Sequence, residues 1–464
     1  MKTMGHDFSK TQRQFIRIAD AIVMNNELQF KLTFSDGMKR YFRENTLRIT
    51  YDQSIERVDK SILSIPALAA VITVAWGAGA DVYLDTVDSR FLESLERVKQ
   101  VFKKWFPKFS FSTQIHVSKS VTPSAPAGKH HALLFSGGLD ALASYIKHKD
   151  EKPTLITVRW NIPIREQQYW SIFKEKIQAF ANQENATVRF IETNELELIN
   201  NDMAARDFLA KPAGSSWYGD VTHGLLITTV VAPLLEDYET LWLASSDFIG
   251  VKNPEKLGTQ GSLVFHEVDM LLGSAKVVYD IPELTRIGKI KKYIVPSPKY
   301  ASSLVVCNSE DRFFKPSAEF LNCCFCEKCL RTILELVSEN INPTACNFPL
   351  RRTKDTLKLI KDQLQLGVLA SDWTIRMEWR GTQLNLQQKL KSGEANNIPG
   401  AVEFFRWFLA YDLNSVNMTP ISVLEKRMPL SPILYCYSVL LTRHRDLKYV
   451  ASYLRFKLNQ KFAK

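Results

Sequence analysis

A chain of 464 residues, 45% hydrophobic and 23% charged, has the length of two or three folded domains and is neither disordered, fibrous nor a small disulfide scaffold. Its net charge of +11, from 60 Lys and Arg against 49 Asp and Glu, is a mild excess that permits a polyanionic partner without requiring one. The first residues carry no apolar run of the secretory kind, and the apolar windows at 65–76 and 429–441 fall short of the roughly 18–20 residues of a membrane span, so a cytoplasmic protein without membrane contact is expected.

Residues 1–120 read as an N-terminal α/β domain of unknown role, with strands at 28–32 and 47–51, a small apolar buried element at 67–76 and an amphipathic helix at 91–105. Residues 118–128, SKSVTPSAPAG, read as a linker. From 121 to 349 strands and helices alternate: strands at 132–135, 154–160, 186–192 and 240–245, and helices ending at His148, at 169–183 and at 223–235, the last despite Pro233. This alternation predicts a doubly wound parallel sheet, in which ligands bind beyond the carboxyl ends of the strands. Three strand ends then meet in one crevice: Ser136-Gly137-Gly138, Arg159-Trp160-Asn161 and Ser245-Ser246-Asp247. Residues 350–464 read as a basic helical C-terminal region, with helices at 355–366, 383–391, 401–411 and 450–462. Its end, carrying Arg443, Arg445, Lys448, Arg455, Lys457, Lys461 and Lys464, suits either a nucleic-acid or acidic partner or a solvated helix face.

The segment 130–144, HHALLFSGGLDALAS, breaks an apolar run with Ser136-Gly137-Gly138-Leu139-Asp140 and resumes at helical spacing. A strand, a tight turn and a helix start would aim backbone N–H groups and the positive end of the helix at one point, which suits a phosphate. A plain Gly-Gly turn with an Asp in the first helical turn is the competing reading. The arrangement resembles the pyrophosphate loop of N-type ATP pyrophosphatases, which cleave ATP between its α and β phosphates.

Four of the seven cysteines crowd into NCCFCEKCLRT. In a cytoplasmic chain such density favours metal over disulfides. Cys323, Cys326 and Cys329 follow at steps of three, Cys307 in LVVCN is the expected fourth ligand, and Cys324 competes with it. Four thiolates suit structural zinc, since they leave no open position for water, and an iron–sulfur cluster is the lesser alternative. Cys346 and Cys436 read as ordinary buried residues.

The loop together with C-x-x-C-x-x-C and the following Leu330-Arg331-Thr332 resembles the 7-cyano-7-deazaguanine synthase family of the queuosine pathway, over about residues 130–335. Cys324 stands where the family has Gly, Ala141 where it usually has Ser, the interval from Cys307 to Cys323 is longer, and the flanking regions are extra. These departures look like a paralogue with a different acceptor, similar to synthase-like proteins of bacterial anti-phage gene sets. The resemblance implies an adenine nucleotide α-hydrolase-like fold and an ATP-dependent, AMP-forming carbon–nitrogen ligase. Such an enzyme adenylates 7-carboxy-7-deazaguanine or a similar deazapurine acid for attack by an amine or ammonia. A protein or tRNA acceptor, and other proteins of the same gene set, are the partners it implies.

In that reading Ser136, Gly137, Gly138, Leu139 and Asp140 bind ATP, with Arg159 and Ser245 from the neighbouring strand ends. Asp140 would orient Mg²⁺ directly or through water, and Arg286 and Lys289, in LTRIGKIKK, would neutralise developing charge; the last two equally suit a solvated helix face. The rivals are a tRNA- or other nucleic-acid-modifying enzyme with the same loop and a non-catalytic interaction protein retaining the fold. His223 reads as a capping or packing residue, and His130 and His131 as incidental. His266-Glu267 lacks the second His of a zincin, and no G-x-S-x-G elbow occurs.

Overall fold

The computed structural model describes residues 13–122, 129–159, 167–209, 216–246, 262, 264–307, 321–350, 352–365, 369 and 373–414. In chain order the elements used below are β1 (Phe15–Ile18), β2 (Ile22–Met24), β3 (Glu27–Phe34), β4 (Thr46–Tyr51), α1 (Lys60–Ala78), β5 (Asp81–Asp88), α2 (Ser89–Trp105) and β6 (Ile115–Val121). Next come β7 (His130–Leu134), α3 (Leu139–His148), β8 (Thr154–Val158), α4 (Gln167–Gln183), β9 (Val188–Thr193), α5 (His223–Thr229) and β10 (Tyr238–Ala244). Last are β11 (Met270–Leu272), β12 (Ala275–Asp280), α6 (Glu327–Ser338), α7 (Thr353–Gln365), α8 (Trp373–Ser392) and α9 (Ala401–Ala410).

All twelve of these strands belong to one sheet, in the order β11-β12-β10-β7-β8-β9-β4-β3-β1-β5-β6 with β2 paired to β3. Its heart is the five-stranded parallel run β9-β8-β7-β10-β12. Helices cover both faces, which is why β7 and β8 at its centre are buried on consecutive residues rather than alternating. On β7, Ala132 and Leu134 join the core shared with α1, while Leu133 joins the opposite core with α4 and α6. The chain runs from β7 outward through α3, β8 and α4 to β9, then returns to lay β10 on the other side of β7. In open α/β sheets such a reversal, here beyond the carboxyl ends of β7 and β10, is the place where ligands bind.

The N-terminal segment extends the same sheet: β4 lies antiparallel to β9, with Ile49 opposite Thr193 and Tyr51 opposite Ile191. The stretch expected as a linker is strand β6 as far as Val121, parallel to β5, and residues 123–128 of it lie outside the described residues. Its alternating residues pair along an exposed sheet edge, which a Ser- and Lys-rich composition tolerates.

The apolar window at 65–76 grows into the 19-residue α1, capped by Asp59, whose side chain accepts from Ser61 N, and ended by Gly79 at φ +69°. By length and composition it is the one described helix that could cross a membrane, yet it is 94% buried within the protein. It reads as a core helix wedged under the sheet. The helix expected at 223–235 is shorter: α5 stops at Thr229 and a 3₁₀ turn follows at Ala232–Leu234, because Pro233 cannot donate to the helical ladder. The helix expected at 383–391 is the end of the longer α8, and the expected helix at 450–462, with the basic tail, lies outside the described residues.

Candidate functional site

At the end of β7, Phe135 N still donates to Ile156 O at 2.9 Å before the chain turns. Gly137 then takes φ +69°, and Gly138 caps α3 in an extended conformation with no side-chain cap. Ser136 is exposed, its hydroxyl accepting from Gly138 N at 3.4 Å, while Gly137 O accepts from Val305 N at 2.8 Å and pins the loop from behind. Leu139 is 1% exposed and anchors the helix start in the core. The loop therefore ends in a helix N-terminus without a side-chain cap at the carboxyl end of β7, an arrangement that attracts an anion.

Gly137→Ala tests this conformation. An added Cβ would meet Ile177 Cδ1 at 3.2 Å and Val305 Cβ at 3.5 Å on a left-handed backbone. The expected loss is about 1–2 kcal/mol of stability, read as a lower denaturant midpoint with the slope unchanged. An unaltered midpoint would mean that the loop turns differently.

Asp140, in the first turn of α3, is clamped by two cations: Arg286 Nη1 at 2.5 Å and Lys289 Nζ at 2.9 Å. Burial opposes its charge, but Lys289 and Arg286 outweigh that and hold its pKa down to about 2. Thr285 caps the turn that bears both cations, accepting from Gly288 N, and the three-residue step puts Arg286 and Lys289 on one side. Neither lies on a solvated face, since Arg286 is 8% and Lys289 1% exposed. Arg286 also donates from Nη2 to Thr332 Oγ1 at 3.0 Å and from Nε to Glu335 at 3.2 Å. Lys289 donates to the Ser245 carbonyl and, at 3.1 Å, to Ser245 Oγ.

With both oxygens of Asp140 on cations, direct ligation of Mg²⁺ does not fit this arrangement, and Asp140 acts as the anchor of Arg286 and Lys289. Ser245 sits at the end of β10 with its hydroxyl donating to Ile281 O at 2.9 Å; it is buried and positions Lys289 instead of facing the crevice. Arg159, at the end of β8, is spent on Glu192 and Gln167, each at 2.8 Å. Trp160, Asn161 and Asp247 lie outside the described residues.

The second half of the site is the cysteine group. The sulfurs of Cys307, Cys323, Cys326 and Cys329 all lie within 4.8 Å of one another, with Cys307–Cys326 at 3.9 Å and Cys323–Cys329 at 3.8 Å. A tetrahedral zinc with Zn–S bonds of about 2.3 Å needs sulfurs about 3.8 Å apart, so these four could hold a metal such as zinc. Backbone N–H groups of Phe325 and Cys326 point at Cys323 Sγ, at 3.4 and 3.1 Å, as metal-bound thiolates require.

Asn322 brings Cys307 into range: its side chain accepts from Val306 N at 2.8 Å and donates to Leu304 O at 2.9 Å. Cys324, the competing fourth ligand, directs its sulfur at Asn322 O and is not one of the four; its φ of +58° turns it away. Cys346 is buried, as expected, and Cys436 lies outside the described residues.

The two halves are joined by α6. It starts at Cys326 as N-cap, carries Cys329, and about one and two turns later supplies Thr332 and Glu335 to Arg286. Arg331 on the same helix pairs with Glu327 at 2.7 Å and with Glu378 of α8 at 2.8 Å. Lys328 completes the polar stripe; burial and the charges of Arg286 and Arg331 lower its pKa. Burial and then Lys328 push His223 down to about 4, so that it is neutral near pH 7. A stripe of Lys328, Arg331, Thr332 and Glu335 in an otherwise apolar helix is the sequence signal that would have found these residues. Comparison with family models, with curated proteins and with solved structures finds no match for this chain.

Proposed function

We propose that the chain is an ATP-dependent, AMP-forming enzyme with an adenine nucleotide α-hydrolase-like core, which adenylates a carboxylate for attack by an amine or ammonia. The observation that carries this reading is the place of the Ser136–Asp140 loop: it leaves the central strand β7 at the switch point between β8 and β10 and opens a helix whose N-terminus has no side-chain cap. The leaving pyrophosphate would sit on Gly137, Gly138 and Leu139 with Ser136, and Asp140, held by Arg286 and Lys289, would keep the start of α3 in place beneath it.

The cysteine group supports the likeness to 7-cyano-7-deazaguanine synthases in a specific way. Cys324 takes the left-handed φ of +58° at the position where that family has Gly, so the knuckle keeps a turn that a glycine makes at no cost. The group would hold structural zinc, which supplies folding energy through closed tetrahedral thiolate coordination. A deazapurine acid such as 7-carboxy-7-deazaguanine is the substrate proposed.

The test is AMP and pyrophosphate release from ATP and Mg²⁺ with and without 7-carboxy-7-deazaguanine, with Ser136→Ala alongside. Release that requires the acid and falls in the variant supports the reading. ATP left intact with every deazapurine and benzoic acid tried would refute it.

A further inference from the structure

Arg286, Lys289 and Arg331 are 8%, 1% and 6% exposed, so the cations that the loop and the knuckle share are mostly turned inward. Lys328 is only half-buried. It lies four and seven residues before Thr332 and Glu335, the two residues of α6 that bond Arg286, and such spacing places all three on one helix face. That face looks at Arg286, and Arg286 holds Asp140 at 2.5 Å in the first turn of α3. Electrostatics agree: burial, and then the charges of Arg286 and Arg331, disfavour the charge on Lys328, while Asp140 and Glu327 favour it.

His223 follows the π-helical turn Tyr218–Thr222, and Lys289 precedes the π-helical turn Ile290–Ile294. Turns of this rare kind gather at functional sites. The exposed Ser136 and Ser246 follow the carboxyl ends of β7 and β10, the half-buried Lys328 stands in the first turn of α6, and the half-buried His223 starts α5.

We infer that Lys328, carried between two of the grouped cysteines, reaches solvent at this end of the sheet and binds a phosphoryl oxygen of the nucleotide's polyphosphate. The inference rests on the ATP reading above and adds to it that the knuckle supplies a substrate-binding residue as well as a fold element. A strongly hydrated ammonium on a flexible stem suits a phosphate that must arrive and leave. The rigid start of α6, set by Cys326 and Cys329, fixes where that stem begins.

The experiment titrates the full chain with inorganic pyrophosphate by calorimetry, comparing wild type, Lys328→Gln and Lys328→Arg, with metal content measured on each. The expected result is an affinity about tenfold weaker in Lys328→Gln and largely restored in Lys328→Arg, at equal metal content. Unchanged affinity in Lys328→Gln overturns the inference while leaving the ATP reading in place; wild type that binds neither ATP nor pyrophosphate overturns both. Should Lys328→Gln lose metal, the wild-type chain still decides the matter. Saturating pyrophosphate should protect Lys328 from acetylation by acetic anhydride, read by mass spectrometry, and undiminished labelling overturns the inference.

Discussion

Cys329→Ser is expected to reduce bound zinc from about one ion per chain to near zero and to lower the thermal midpoint more than any other single Cys→Ser change in the knuckle. Cys329 is wholly buried, and it is both a ligand and part of the first turn of α6. Structural zinc is worth on the order of 10–16 kcal/mol in small peptides, where it is the whole of the folding energy. Here α6 also packs through Leu330, Ile333, Leu334, Leu336 and Val337, all fully buried, so the fold outlasts the metal. The cost should be a few kcal/mol, concentrated where Thr332 and Glu335 hold Arg286.

The counterpart is Cys324→Gly, expected to retain zinc and to be neutral or up to about 1 kcal/mol more stable, because it relieves a left-handed backbone at φ +58°. Elemental analysis with a thermal scan reads both. Full zinc in Cys329→Ser, or zinc lost in Cys324→Gly, would show that a different set of sulfurs holds the ion.

The parts of this architecture that could be read from sequence are those whose signal is local. The run Ala132–Phe135, the paired glycines and the periodic segment to His148 lie within a few residues of one another, and strand, turn and helix follow from them. The three cysteines at steps of three are equally local. The parallel alternation through β7, β8, β9 and β10 was legible for the same reason, because each unit announces itself.

What could not be read depends on pairs far apart in the chain. Asp140 and Arg286 are 146 positions apart, and Arg286 and Glu335 are 49 apart. Charge alone marks Arg286 and Lys289 as interesting but equally as surface residues, and only their burial settles which they are. Strand β5 was missed because its ends are aspartates. Asp81 and Asp88 are 3% and 0% exposed: Asp81 accepts from Gln114 N and Arg13, and Asp88 from Arg90 N and Gly273 N. A buried carboxylate satisfied by distant backbone leaves no trace in a hydrophobic pattern. Cys324 is a further case, since only a torsion angle distinguishes it from the ligands beside it.

Asp140→Asn is expected to cost about 2 kcal/mol at pH 7, and Asp140→Ala about 3 kcal/mol, since each leaves Arg286 and Lys289 buried with less compensation. The first figure follows from the pKa: a shift from 3.8 to about 2 corresponds to about 2 kcal/mol of preference for the charged form in the folded chain. The group's folded pKa is depressed, so its stabilisation is complete above 3.8 and disappears as pH falls through about 2. The gap between wild type and Asp140→Asn should therefore stay constant from pH 7 to about 5 and close toward pH 2.

Removing a partner as well should recover part of the loss. Arg286→Met relieves one of the two stranded cations, so Asp140→Ala with Arg286→Met should be more stable than the sum of the single changes predicts. Denaturant unfolding of the four chains closes the cycle. Strict additivity, or a gap between wild type and Asp140→Asn that widens on acidification, would mean that the clamp on Asp140 is not formed in solution. A coupling of about 1–3 kcal/mol would establish that the loop's only carboxylate serves to hold two buried cations in place, the arrangement on which the proposed binding of a polyphosphate there would depend.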